Sequence, residues 1–129
     1  MKNQYFLKDK KALIHDSISV SGSGYMPKTY YVPRTPAPIW AYASQLSQMT
    51  VFEAKSYGED ENYMFVFNLG TEVELYDLIL YRNKWYQVTR VDTTDDYNTD
   101  KFVYAKDAPR GSIPSADSLK PYGWQPGDD

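Results

Sequence analysis

The sequence predicts an all-β protein: a small antiparallel β-barrel of about six strands, with one long loop and irregular termini. Residues 77–92 (DLILYRNKWYQVTRVD) set two apolar-alternating runs around a tight polar turn, the pattern of a β-hairpin. Short runs of the same kind recur along the chain with turn residues between them. That rhythm favours a small barrel or sandwich over a parallel sheet. At 129 residues, 42% hydrophobic and 24% charged, the chain fits one globular domain with a modest core.

The elements follow in order. Residues 1–11 form a basic arm, with Lys2, Lys8, Lys10 and Lys11 against Asp9. The apolar block of a secretory signal is broken by His15 and Asp16, so a cleaved leader is not expected. Residues 12–20 alternate as a first strand, with Ile14, Ile18 and Val20 on one face and Leu13, His15, Ser17 and Ser19 on the other. Asp16 shares the apolar face. Residues 21–24 (SGSG) turn the chain. Residues 30–38 hold three prolines, which cannot donate to a ladder, so this piece is an edge strand or a crossing segment.

Strand character returns at residues 39–43, around Trp40 and Tyr42. Residues 44–62 have no clear period. Leu46, Met49 and Phe52 have helical spacing, which allows a short helix over 47–55. A connection this long between strands is either functional or disordered, since connections rarely exceed about 12–15 residues. Residues 63–68 (YMFVFN) put Tyr63, Phe65 and Phe67 on one strand face. The 77–92 hairpin follows, then an acidic turn over 92–99 and a last strand over 101–106. The tail, 107–129, carries four prolines and three glycines and cannot order itself alone. Its Trp124 therefore either folds back onto the barrel or docks on a neighbour. The domain plan is arm 1–11, barrel 12–106 containing loop 44–62, and tail 107–129.

Several chemistries are excluded by composition. There are no cysteines and one histidine, so thiolate and His-rich metal sites are not expected. No run of about 18 apolar residues is present, so no membrane span is expected. A net charge of −3 and a pI near 5.1 do not suit a phosphate-gripping protein. Asp92, Asp95, Asp96 and Asp100 fail the EF-hand spacing and read as a solvated turn. Glu59, Asp60 and Glu61 are adjacent, whereas glycoside hydrolysis needs two carboxyls across a cleft. They read as an exposed acidic face. The thirteen tyrosines come without the basic groove of a base-stacking platform and read as packing residues. No GxGxxG, P-loop, GxSxG or HExxH motif is present, so neither an enzyme nor a cofactor is expected, and no catalytic or metal residue is assigned.

The order of elements resembles a known family. An N-terminal hairpin is followed by a strand like Ile39-Trp40-Ala41-Tyr42-Ala43, and Ser44-Gln45-Leu46-Ser47 opens a long loop. Then come an aromatic strand like residues 63–68 and a closing hairpin of the form D-x-I-x-Y-x-x-K-x-Y-x-V at residues 77–88. Over residues 12–106 this resembles the head-closure, or stopper, proteins of long-tailed bacteriophages. The tail has no counterpart there. The resemblance implies a virion protein of the head–tail connector, made in the host cytoplasm. It implies a ring of copies that binds the adaptor ring on the portal, closes the DNA exit channel and offers the tail-completion protein a docking surface. Genome DNA would pass without sequence-specific binding, and no membrane would be involved.

In that family the long loop faces the channel, which here points to Glu53, Lys55, Tyr57, Glu59, Asp60 and Glu61. The loop carries −3, counting Glu53, Glu59, Asp60 and Glu61 against Lys55, so it would repel phosphates at close range. Contact between neighbours is expected to use the basic arm (Lys2, Lys8, Lys10, Lys11) and the acidic tail with Trp124. Two other functions compete with this one: a tail-completion protein, and a free β-barrel module that binds nucleic acid or carbohydrate.

Overall fold

The computed structural model describes residues 7–22, 25–46, 61–92 and 99–127. Among them are seven strands: β1 (Lys10–Gly22), β2 (Tyr25–Pro33), β3 (Ile39–Gln45), β4 (Tyr63–Asn68), β5 (Leu78–Tyr81), β6 (Lys84–Asp92) and β7 (Asp100–Asp107). All pairings are antiparallel, in the order β2-β1-β3-β4-β7-β6-β5. A β1–β5 pairing, with Leu13 opposite Leu80 and His15 opposite Leu78, closes six of the strands into a barrel. Closure leaves these strands no free edge. The seventh strand, β2, forms a hairpin arm with the far half of β1.

Proline explains how β2 and β3 divide. Both run along β1, β2 from Gly22 back to His15 and β3 from Ala12 back to Lys10. Between them residues 34–38 lie opposite only Leu13 and Ile14. Pro36 and Pro38 have no N–H to offer there, and the Arg34 amide bonds Ile14 O at 2.8 Å. The stretch expected as an edge strand or a crossing segment is therefore both, a strand to Pro33 and then a crossing bend. β1 also outruns its expected limits at both ends, because Lys10 and Lys11 pair with β3 and Gly22 pairs with Tyr25 of β2.

The closing hairpin turns through Arg82 and Asn83, at φ +52° and +62°, between the paired Tyr81 and Lys84. Two successive left-handed residues make a two-residue turn of the kind that matches strand twist, and asparagine tolerates it well. A bulge between Val88 and Arg90 lifts Thr89 out of the β6–β7 register.

Alternation then builds the core. Ala12 and Ile14, Phe65 and Phe67, Ile79 and Tyr81, Tyr86 and Val88, and Val103 and Ala105 face one buried cluster. Each fully buried Ile, Val or Phe contributes about 1.5–3 kcal/mol. Tyr63, Phe65 and Phe67 do share a face, with successive ring centroids at 5.4 and 6.2 Å, and Tyr81 meets Phe65 edge-on at 5.4 Å. His15 departs from expectation. It lies on the outer face but is buried, its ring 4.9 Å from Trp85 and its Nδ1 3.2 Å from Leu13 O. Burial pushes its pKa below the usual histidine value.

Candidate assembly surfaces

Antiparallel order puts the β3–β4 connection, the β5–β6 turn and the end of β7 at one end of the barrel. The other end carries the 34–38 bend, the β4–β5 turn and the β6–β7 connection. The feet of the β3–β4 connection are tied together: Leu46 N donates to Asn62 O at 3.1 Å, and Asn62 N to Ala105 O at 3.0 Å. Glu61 locks the second foot. Arg90 donates Nε and Nη2 to its two carboxylate oxygens at 3.2 and 3.0 Å, and Thr89 Oγ1 donates at 2.9 Å. The Arg90 guanidinium also lies 4.0 Å from the Tyr104 ring centre. The Glu61 hydrogen bonds raise the pKa of Arg90, keeping the cation fixed.

At the opposite end stands Arg34, whose side chain is 8% exposed. It grips Asp77 with two parallel bonds, Nε to Oδ2 at 2.7 Å and Nη2 to Oδ1 at 3.0 Å. Asp16 and Glu72 approach it at 3.3 and 3.2 Å, and Glu74 at 3.9 Å. The Glu74 amide donates to Asp77 Oδ2 at 2.9 Å, so Asp77 also shapes the β4–β5 turn. Burial acts to lower the Arg34 pKa, but the bonds and charge of Asp77 outweigh it and the cation is held. For Asp77 burial is the larger influence and raises its pKa against the pull of Arg34. The next residue back, Tyr76, has φ +69°.

The tail folds onto the arm. Leu119 bridges Tyr31 in parallel, with Tyr31 N donating to Ser118 O at 2.8 Å and Lys120 N to Tyr31 O at 3.0 Å. Trp124 is buried against Tyr30, ring centres 5.1 Å apart, and the Lys120 ammonium sits 5.2 and 5.3 Å from those two rings. Between tail and arm runs a groove of about 380 Å³, lined by Lys28, Tyr30, Ser115, Asp117 and Lys120 among others.

The residues singled out in the sequence fall into four groups. Glu53, Lys55, Tyr57, Glu59, Asp60 and Lys2, with the helix over 47–55 and most of the acidic turn, lie outside the described residues. Glu61 is described and is not on an exposed acidic face, because Arg90 and Thr89 hold its carboxylate in a buried site. The candidate interface cations that are described have partners in their own chain: Lys8 on Asp100 at 2.6 Å, Lys10 on Asp9 at 2.9 Å, and Lys11 over the Trp40 ring at 4.6 Å. Of the two fates open to Trp124, the structure shows the fold-back. The Arg34 centre was not foreseen. The sequence marks it only by Asp16 on an otherwise apolar strand face, and that side chain stays 44% exposed.

No family model matches the chain, and no curated protein matches it. Among solved structures it is similar to protein SF1141 from Shigella flexneri 2a, with a TM-score of 0.62 and 10% identity, over 78% of this chain and 93% of that one. It is also similar to the phage-like element PBSX protein xkdH from Bacillus subtilis, with a TM-score of 0.47 and 14% identity, over 76% of this chain and 93% of that one. At its level of identity, the likeness to SF1141 is one of fold, a small β-barrel. No helix of the described residues is long and apolar enough to cross a membrane.

Proposed function

We propose that this chain is a structural virion protein of the bacteriophage head–tail connector. It forms a ring that closes the DNA exit channel after packaging and provides the tail-attachment surface. The observation that carries the reading is the β3–β4 connection. The described feet of this connection, Leu46 at one side and Glu61 and Asn62 at the other, are tied at one end of the closed barrel by Leu46–Asn62 and Glu61–Arg90, and the sequence between them is over-long for a strand connection. The barrel holds both ends of a segment long enough to reach into a passage. The element order behind the stopper resemblance supports the same reading, since hairpin, strand, long connection, aromatic strand and closing hairpin follow in that sequence.

The partners under this reading are the adaptor ring, the tail-completion protein and further copies of the chain, and the role is not catalytic. With Glu61 neutralised by Arg90, the acid available to face DNA is Glu53, Glu59 and Asp60 against Lys55. That charge repels phosphates at close range and so lets the genome be blocked without being bound. Negative-stain imaging and DNA quantification of particles lacking this protein test the proposal. Filled heads that lose DNA and carry no tails support it. Tailed particles that retain their DNA would falsify it.

A further inference from the structure

The β4–β5 turn holds two apolar side chains out to solvent on a strained backbone. Leu75 is 54% exposed and Tyr76 69%. A bulky residue in the left-handed region costs about 1–2 kcal/mol, and Tyr76 at φ +69° lies outside the buried core cluster. The turn is nonetheless hydrogen-bonded to the barrel. Tyr76 N donates to Val88 O at 3.0 Å, Asp77 N to Glu74 O at 3.1 Å, and the Arg34–Asp77 pair lies directly beneath. Glu72 and Glu74, each with a side chain 73% exposed, flank the apolar tip.

The groove between tail and arm has the converse character. Tyr30 lines it, and Lys28 and Lys120 bring positive charge beside Asp117, the Lys120 ammonium also lying over the Tyr30 and Trp124 rings. We propose that copies of this chain bind head to tail, with the Leu75–Tyr76 turn of one copy seated in the Lys28–Tyr30–Lys120 groove of the next. Glu72 and Glu74 then face the two lysines. The two patches differ, so the contact is heterologous and propagates into a ring when its rotation closes. This deepens the ring reading above and names the contact on which the ring rests.

Sedimentation velocity on the full chain over a range of concentrations tests it. Wild type is expected to self-associate. Tyr76→Gly is expected to weaken association about 30-fold or more, as for a central aromatic anchor, while its melting temperature stays level or rises because the strain is relieved. Glu72→Lys/Glu74→Lys and Lys28→Glu/Lys120→Glu should each abolish association. A mixture of Tyr76→Gly with Lys28→Glu/Lys120→Glu should form pairs and nothing larger, since one mutant keeps only the groove and the other only the turn. Undiminished association of Tyr76→Gly overturns this contact and leaves the ring reading standing. A wild type that stays monomeric at every concentration also overturns it, and the particle experiment above then decides the connector reading separately.

Discussion

Arg34 and Asp77, 43 residues apart, meet through two parallel hydrogen bonds of 2.7 and 3.0 Å, with 8% and 4% of their side chains exposed. The pair joins the proline bend to the turn that opens β5, and so fixes the end of the barrel opposite the long connection.

Removing Asp77 leaves the buried Arg34 guanidinium with only the more exposed Asp16, Glu72 and Glu74 beside it. Asp77→Ala is expected to cost about 3 kcal/mol, the low end for breaking a buried pair. Arg34→Met combined with Asp77→Leu should cost clearly less than the two single changes added together. Denaturant unfolding of all four proteins measures the difference, and strict additivity would contradict the pairing.

His15 predicts a pH effect with a definite sign. Burial against Trp85 depresses its folded-state pKa, whereas the unfolded chain titrates near the ordinary value of about 6.5. Below that value the unfolded chain takes up a proton the folded chain resists, so stability falls as pH drops through about 6.5 and levels off beneath the folded pKa. His15→Gln should flatten melting temperature between about pH 7.5 and 5.8. An unchanged slope in the variant would place the titration elsewhere.

Glu61 anchors the long connection, so Glu61→Gln should loosen it more than it destabilises the barrel. Losing charge-assisted bonds to Arg90 costs about 1–2 kcal/mol. The sharper readout is proteolysis. Cleavage within residues 47–60 should accelerate in the variant, and equal cleavage rates would remove Glu61 as the anchor.

The tail covers part of an edge. Cutting the chain after residue 108 removes Leu119 and Trp124 from β2 and leaves the Tyr31 backbone groups open to pairing. The barrel should still unfold cooperatively, but with a greater tendency to aggregate. Trp124→Ala alone should cost about 2 kcal/mol or more. Light scattering during thermal melts distinguishes the two effects, and an aggregation-resistant truncation would contradict the edge-covering role.

Local physics made the barrel legible in the sequence. Alternation marked the strands from Ile39 onward, and the polar turn at Arg82-Asn83 marked the closing hairpin. Prolines 33, 36 and 38 marked the break between β2 and β3 without deciding between strand and crossing. What sequence could not supply was pairing across long separations. Asp16 and Asp77 are ordinary acids until Arg34 lies between them. Glu61 belongs to an acidic run until the bulge at Thr89 presents Arg90 to it. His15 alternates with polar neighbours, and only the β1–β5 closure brings Trp85 over it. Trp124 was visible as a residue in need of a partner, and Tyr30 became that partner only when the arm was folded.

The central claim is that this barrel sits in a ring and sends residues 46–62 toward a channel. An electron cryomicroscopy reconstruction of the complete head–tail junction tests it most directly. The account predicts a symmetric ring of this chain between the portal adaptor and the tail, with that segment pointing at the axis. Finding the segment on the outer wall of the ring, or the chain missing from the junction, would contradict it.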